Sequence, residues 1–383
     1  MTDGLNSSPI EKDRFLVSYI IPDLSGGGAE KVLIHLLNNL PREKYDLELV
    51  LLKKSGVYHE HIPKDVSIQI FNLSKTRNFT LPLFKYLRTT KARVLVIFNV
   101  NNINLIIILA KLLFPKKFKI ISREATILSK SIENHSVIFR YILRFLHQWA
   151  LKLADKVIAL SSDMKNDLIL NFNVKFEKLI VINNPVLPVY ASYKKYKSSN
   201  SSFAKQILCM GRLEPQKRFH LIIEAFSRLQ RNDVSLIIVG DSDNEIYKRQ
   251  LKQLIEYKGI KEQVKFVGRT NDPNILLKNS DVLAIASTYE GFPNVVVEAN
   301  AMGVPVIGFK TIGGHNDIIH ENINGNLVPE GDIDAYAEAL ENLLNSNLEP
   351  SRIINITMKR YSLNKVIGMY DKVISELIYG AKA

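Results

Sequence analysis

Short apolar runs alternate with helical patterns along this chain, stop, and then begin again; that interrupted rhythm constrains the fold more than any single residue. Phe15–Ile21 is a continuous strand-like run ended by Pro22 and Gly26-Gly27-Gly28. Residues 29–40 then carry Val32, Leu33, Leu36, Leu37 and Leu40 on one helical face, and strand patterns return at 47–52, 94–98, 119–122, 156–160 and 179–182. A second series starts at 206–210, passes through a helix at 219–229, and continues with strands at 234–239, 264–267, 282–286 and 305–308. Strands alternating with helices predict parallel βαβ units, hence an α/β fold of two doubly wound, Rossmann-like domains. The polar, basic stretch between the series has no apolar period and reads as a linker. The expected division is a flexible N-terminus at 1–13, a first domain at 14–186, a linker at 187–203, a second domain at 204–363, and a helical segment at 364–383 that packs on the second domain or back on the first. A chain of 383 residues exceeds the usual single core, which agrees with two domains.

Composition narrows the partners. With 46% hydrophobic and 23% charged residues the chain is ordinarily globular, and its net charge of +13 favours phosphates, an acidic membrane surface or nucleic acid. No basic patch interleaved with aromatics supports nucleic acid. The single cysteine, Cys209, excludes an internal disulfide and a cysteine-based metal cluster, and its setting (Ile-Leu-Cys-Met-Gly) reads as a buried strand. The first 13 residues lack the apolar core of a signal peptide, and the longest apolar stretch, 103–114, is interrupted by Asn104 and Lys111 and is too short to span a bilayer. The expected location is the cytoplasm, with peripheral contact at the inner face of the plasma membrane left open. The segment 139–156 is one candidate for that contact, together with Lys111, Lys116, Lys117 and Lys119 nearby in sequence. A basic amphipathic helix of this kind reads either as a membrane-resting face or as a core helix with a solvated side. His147 and Trp149 within it read as packing residues.

Four sets of residues carry chemistry. Gly27 and Gly28, between a strand and a helix, make either a tight turn or a backbone cradle for phosphate at a helix N-terminus. Arg212 and Lys217 follow the first strand of the second series, at the edge where open α/β sheets bind ligands; a guanidinium fork and an ammonium together neutralise a diphosphate, although a solvated basic loop has the same composition. Glu290 and Glu298 bracket Gly291-Phe292-Pro293-Asn294, with Glu290 expected in a loop and Glu298 on the helix behind it; carboxylates accept hydrogen bonds from sugar hydroxyls, and amides near Phe292 and Asn294 donate. The alternative is an acid placed near a helix N-terminus for its dipole. Asp241-Ser242-Asp243 has the spacing of a metal clamp, but acids after a strand commonly serve turns and caps. Cations for a diphosphate beside acids for hydroxyls fit a nucleotide-sugar.

In order along the chain, Gly211-Arg212-Leu213 with Lys217, Val239-Gly240-Asp241, Glu290-Gly-Phe-Pro with Glu298, Ala301-Met-Gly-Val-Pro305, Gly313-Gly314 and Asn324-Gly325 resemble the retaining glycosyltransferases of family 4, which have the two-domain GT-B architecture. Gly27-Gly28-Ala29-Glu30 and Asn183-Asn184-Pro185 fit the first domain of that family. The resemblance implies that Arg212 and Lys217 bind the donor diphosphate and stabilise the leaving group. It implies that Glu290 contacts the donor sugar, Glu298 the ribose, and Gly27, Gly28, Gly291, Phe292, Pro293 and Asn294 the rest of the donor. It further implies no bound metal and no cofactor, the nucleotide-sugar being a substrate. Three departures stand out. Ser122-Arg123-Glu124 replaces a first-domain histidine, making Arg123 and Glu124 candidates for contact with sugar or acceptor. Ser-Asp-Asn follows Gly240-Asp241 where a glycine is usual, and Asp317 offers a shorter acid after Gly-Gly. Arg218 stands where relatives often have a smaller residue. The expected activity is transfer of a hexose or N-acetylhexosamine from a UDP-sugar to a lipid-linked glycan acceptor in bacterial surface polysaccharide synthesis. The rivals are another GT-B reaction on a soluble acceptor and a catalytically silent sugar- or nucleic-acid-binding protein.

Overall fold

A computed structural model of the chain describes residues 14–25, 27–71, 80–99, 105–115, 117–133, 135–187, 203–242, 244–270 and 272–380. The expected N-terminal tail, Gly26, Lys116, Asp243 and nearly all of the expected linker lie outside the described residues.

The first sheet contains β1 (Phe15–Ile21), β2 (Tyr45–Leu51), β3 (Ser67–Ile70), β4 (Val94–Asn99), β5 (Lys119–Glu124), β6 (Lys156–Ala159) and β7 (Leu179–Val181). Its strands are parallel throughout, in the order β3-β2-β1-β4-β5-β6-β7. Helices α1 (Gly28–Asn39), α2 (Thr80–Thr89), α3 (Leu105–Leu113), α4 (Leu128–Ile132), α5 (Val137–Leu153) and α6 (Ser162–Phe172) connect them. The second lobe repeats the plan with β8 (Lys205–Met210), α7 (Phe219–Arg228), β9 (Val234–Val239), α8 (Glu245–Tyr257), β10 (Val264–Gly268), α9 (Pro273–Asn279) and β11 (Val282–Ala284). There follow β12 (Tyr289–Glu290), α10 (Asn294–Ala301), β13 (Val306–Phe309), β14 (Ile312–Gly313), α11 (His315–Ile318), β15 (Gly325–Val328), α12 (Ile333–Leu344), α13 (Pro350–Tyr361) and α14 (Leu363–Tyr379). Its main sheet is ordered β10-β9-β8-β11-β13-β15, and β12 pairs with β14 alone.

Near-continuous apolar strands are what a parallel sheet covered on both faces demands, and β1, β4 and β8 obey it, with Val17, Tyr19, Val96, Ile97, Leu208 and Cys209 fully buried. Burial also pushes the Cys209 thiol far up, so it is a core residue and not a nucleophile. In both sheets the strand order reverses beside the first strand, between β1 and β4 and again between β8 and β11. Ligands in such sheets bind beyond the carboxyl ends of the strands at that reversal. The two reversals place the Gly27-Gly28 turn, the Arg212 loop and the Glu290 segment at matching edges.

Several boundaries differ from the sequence reading. β5 runs on through Arg123 and Glu124, because these side chains are buried against the sheet and not released into a loop. Glu290 belongs to the short β12 and not to a loop, its backbone paired with Gly313. The helix expected at 139–156 is α5, which starts at Val137; Lys156 opens β6. β3 and β15 were not anticipated: β3 is a polar edge strand with little apolar signal, and β15 carries Asn326 between its buried ends. The chain's last helix, α14, crosses to the first lobe. There Tyr45 donates its hydroxyl to Asp371 at 2.7 Å, Lys44 pairs with Asp371 at 2.7 Å, and the Phe15 and Tyr379 rings meet edge to face at 5.3 Å.

Candidate active site

Between the two carboxyl edges lies a cavity of about 290 Å³. The second lobe contributes Arg212, Gln216, Lys217, Tyr289, Glu290, Gly291, Phe292 and Asn294 to its wall; the first contributes Gly28, Ala29, Arg123, Ala125, Thr126, Leu160 and Asn184. Residues from motifs as far apart in sequence as Gly28 and Asn294 therefore share one space.

On the second-lobe wall, Lys217 is held by the turn Pro215–Lys217 and forms an ion pair with Glu290, whose same oxygen accepts from Ser287 Oγ at 2.8 Å. Gln216 Nε2 donates to the Tyr289 carbonyl at 3.0 Å, which ties the basic loop to β12. Arg212 is the more exposed of the pair: its side chain is 73% exposed and its only ion pair among the described residues is with neighbouring Glu214 at 3.1 Å. Arg218 takes no part in the wall. Held in a left-handed conformation at φ +50°, it donates to the carbonyls of Ala286 and Ser287 and pairs with Glu330, bracing the loop from behind. Its guanidinium thus fills a structural post.

The first-lobe wall is built differently. Arg123 is fully buried, its guanidinium carbon 4.6 Å above the Phe98 ring. Its Nε donates to Tyr370 OH at 3.0 Å and its Nη2 to Asn184 Oδ1 at 2.6 Å. Nη1 is buried and has no partner among the described residues. Asn184 in turn donates to Asn294 Oδ1 at 2.8 Å, closing a chain of hydrogen bonds from α14 through β5 to the start of α10. Glu124 is buried beside Arg123 but turns away from the cavity and accepts from Ser122 Oγ at 2.8 Å, so of the two candidates only Arg123 reaches the shared space.

Two glycines set how closely the lobes meet. A Cβ at Gly291 would lie 2.5 Å from the Ala125 carbonyl oxygen, and one at Gly28 would lie 2.6 Å from Asn294 Nδ2. At Gly291, where the obstacle is backbone, only glycine fits; at Gly28 a side chain would have to displace the Asn294 amide. The α10 start, with no side-chain cap at Pro293, points its first-turn N–H groups to this junction. Pro293 itself lines a small adjoining cavity with Lys217 and Glu290. Gly27 lies just outside the wall, where a side chain would collide with the Glu30 carboxylate. Burial raises the pKa of that carboxyl, and the neighbouring Arg123 charge opposes the rise.

Glu298 is on the second turn of α10, behind the wall, and accepts from Lys31 of the first lobe at 2.5 Å. Nothing in the sequence pairs these residues 267 positions apart. Asn184 and Thr126 were likewise not singled out as contacts; the Asn183-Asn184 pair at the end of a strand was the available signal for the first. A second clasp closes the cleft's flank. Asp163 accepts from Gly313 N at 2.8 Å and Asn316 Nδ2 at 2.6 Å, while Asp317 accepts from Ser162 N at 2.7 Å. Asp317, the shorter acid noted after Gly313-Gly314, thus takes part in this lobe contact. Asp241 is engaged by Lys248 at 2.8 Å, which holds its carboxyl below the usual range.

Comparison with known proteins agrees with this geometry. Residues 26–188 match the family described as Glycosyltransferase Family 4, and residues 194–360 match Glycosyl transferases group 1. The chain is a glycosyltransferase of GT-B architecture, with one of these domains in each lobe. Among its relatives is a Campylobacter jejuni protein named GalNAc-alpha-(1->4)-GalNAc-alpha-(1->3)-diNAcBac-PP-undecaprenol alpha-1,4-N-acetyl-D-galactosaminyltransferase, 27% identical over 94% of this chain and 98% of its own. Another is an Escherichia coli UDP-Gal:alpha-D-GlcNAc-diphosphoundecaprenol alpha-1,3-galactosyltransferase, 26% identical over 92% of each chain. The Anabaena protein Alr3699/HepE, solved in complex with UDP, shares the fold with a TM-score of 0.76 at 23% identity, over 94% of this chain and all of that one.

Proposed function

We propose that this glycosyltransferase moves a hexose or N-acetylhexosamine from a UDP-sugar to a lipid-linked glycan acceptor in bacterial surface polysaccharide synthesis, with retention of anomeric configuration. The observation that carries the reading is the single cavity in which Arg212, Lys217 and Glu290 of one lobe face Arg123 and Gly28 of the other. The named relatives above, which act on undecaprenol-diphosphate-linked sugars, support the acceptor class.

In this reading Lys217 and Arg212 take the donor diphosphate and stabilise charge as the bond between the anomeric carbon and the phosphate oxygen breaks. Two side-chain cations perform the neutralisation that a divalent ion would otherwise supply, so the reaction in this reading needs no bound metal. Glu290, already oriented by Lys217 and Ser287, accepts from sugar hydroxyls. The N–H groups at the start of α10 place the donor, and Glu298 reaches the ribose once Lys31 yields it. The acceptor hydroxyl enters from the first-lobe side and attacks the face the diphosphate leaves; its proton passes to the departing phosphate oxygen, which is how retention follows. The lipid carrier puts the reaction at a membrane surface, expected at the inner face of the plasma membrane.

The test is incubation of the protein with radiolabelled UDP-sugars and either a polyprenyl-diphosphate-linked or a soluble glycan, with the anomeric configuration of the product read by NMR. Transfer to the lipid-linked acceptor with an axial-to-axial outcome is expected. Transfer only to the soluble glycan would replace the acceptor assignment, and no donor turnover with any UDP-sugar would sink the donor assignment.

A further inference from the structure

Helix α5 has an apolar stripe on the wrong side. Its core-facing residues are Leu143, His147, Ala150 and Leu151. At about 100° per residue, Val137, Ile138, Tyr141, Ile142, Phe145 and Trp149 fall within an arc of about 140° on the opposite face. All six are exposed, Ile138 by 76%, Tyr141 by 70% and Phe145 by 65%. A soluble helix places charge there. None of the 17 residues of α5 is acidic; at the same angular spacing Arg144 borders the stripe and Lys152 lies within its arc. At the C-terminal end of the helix the stripe runs into an open cavity of about 600 Å³. Phe145, Trp149 and Phe172 wall it, and Lys152, Lys175 and Lys178 line it as well. Lys178 is fixed by the carbonyls of Lys152 and Ala154; of the nearby acids, Glu177 is 3.8 Å from Lys175, and the charge of Asp155 acts on Lys178.

We infer that this face of α5, with the adjoining cavity, docks on an anionic phospholipid bilayer. An apolar stripe about 18 Å long, with Arg144 at its border and lysines at the cavity it runs into, on a helix lying along the surface, is the pattern of an interfacial helix, and α5 is not a spanning one. Among the described residues no helix is long and apolar enough to cross a membrane. A second copy of this chain is the poorer occupant, because a twofold contact through the face would bring like charges together. The cavity takes an acyl chain between its aromatic walls, with a headgroup phosphate among the lysines. The basic residues around 111–119, which the sequence offered as part of the same surface, are otherwise engaged. Lys111 pairs with Asp155 at 2.6 Å, and Lys117 donates to the carbonyls of Leu87 and Arg88. The docking face also bears on the cleft. α4, which follows directly on the cavity-lining Ala125 and Thr126, packs against α5, so a bilayer under α5 lies beside the first-lobe entrance. This last step rests on the lipid-acceptor reading; the docking itself does not.

Trp149 is the only tryptophan in the chain, so its fluorescence reports this face alone. Titration of the full protein at 0.15 M NaCl with vesicles of phosphatidylglycerol and phosphatidylethanolamine is expected to blue-shift the emission, and brominated lipid is expected to quench it. Partition into these vesicles should exceed that into pure phosphatidylcholine at least tenfold. The double variant Ile138→Asp with Phe145→Asp, both at exposed positions, should lose at least tenfold in partition. Its transfer to a short-chain, water-soluble acceptor analogue should stay within twofold of wild type, so failure of docking and failure of the glycosyltransferase reading give different results. Absence of the shift, equal partition into neutral vesicles, or a concentration-dependent dimer abolished by the same double variant would overturn the inference.

Discussion

Arg123 and Arg212 face the same cavity from opposite lobes and are held by opposite means. Arg123 is fully buried, stacked on Phe98, and fixed by two neutral oxygens, with one nitrogen left over. Arg212 is mostly in solvent and paired only with its neighbour Glu214, while Lys217 beside it is compensated by Glu290. The second-lobe wall therefore adapts: its cations exchange one anionic partner for another at little cost, because carboxylates already occupy the places where substrate oxygens would come. The first-lobe wall is preset. Its cation was desolvated when the protein folded, so an anionic group arriving there meets a donor that needs no reorganisation. Under the proposed function, the contrast puts adaptation on the donor side and rigidity on the side facing the acceptor.

The largest effect should come from the adaptable wall. Lys217→Ala is expected to lower kcat by about 10²–10³, the usual cost of one lost transition-state donor, with thermal stability close to wild type because Lys217 is a partly exposed residue. An equal fall in stability would show that this wall is as structural as the other. Next in size is a pH effect in the first lobe. Burial of His147 pulls its pKa from 6.5 down to about 4. The unfolded chain then takes up a proton below pH 6.5 that the folded one refuses until about pH 4. Stability is thus fully present above 6.5 and falls progressively toward pH 4, by up to about 3 kcal/mol. Urea unfolding at pH 7 and pH 4.5 checks this, with the difference expected to shrink in His147→Leu; an unchanged difference in the variant would break the assignment. The smallest effect separates the walls most sharply. Arg123→Lys retains the charge but cannot serve Tyr370 and Asn184 together, and a hydrogen bond to a charged group contributes about 1.5–3 kcal/mol. Loss of both stability and kcat is expected, with the KM for the donor little changed. A pure KM effect would move Arg123 to the donor side.

Much of this arrangement was legible in the residues. β1 has the bounds its apolar run announced, and the Arg212, Lys217 and Glu290 motifs do meet, because motifs that follow strands of a doubly wound sheet share one edge by topology. What the sequence concealed depends on pairing between lobes. Lys31 with Glu298, and Asn184 with Asn294, are separated by 267 and 110 positions and have no local signature. Arg123 and Glu124 are adjacent on a strand, so their side chains point to opposite faces, and only the fold decides which one sees the cavity. α5 was ambiguous for another reason: it is apolar on two opposite faces, and periodicity cannot say which of them meets the core.

The crossing of α14 has a consequence for how the protein is made. Tyr45, Lys44, Phe15 and Arg123 all find partners on residues 370–379, which follow the whole second lobe in sequence. While a ribosome is still translating the second half, the half already emerged lacks the helix that finishes it. Tyr45 and Arg123, buried in the completed protein, must wait unsatisfied or recruit other partners. Nascent chains arrested before residue 363 should accordingly expose this seam to protease, and a separately supplied α14 peptide should protect it.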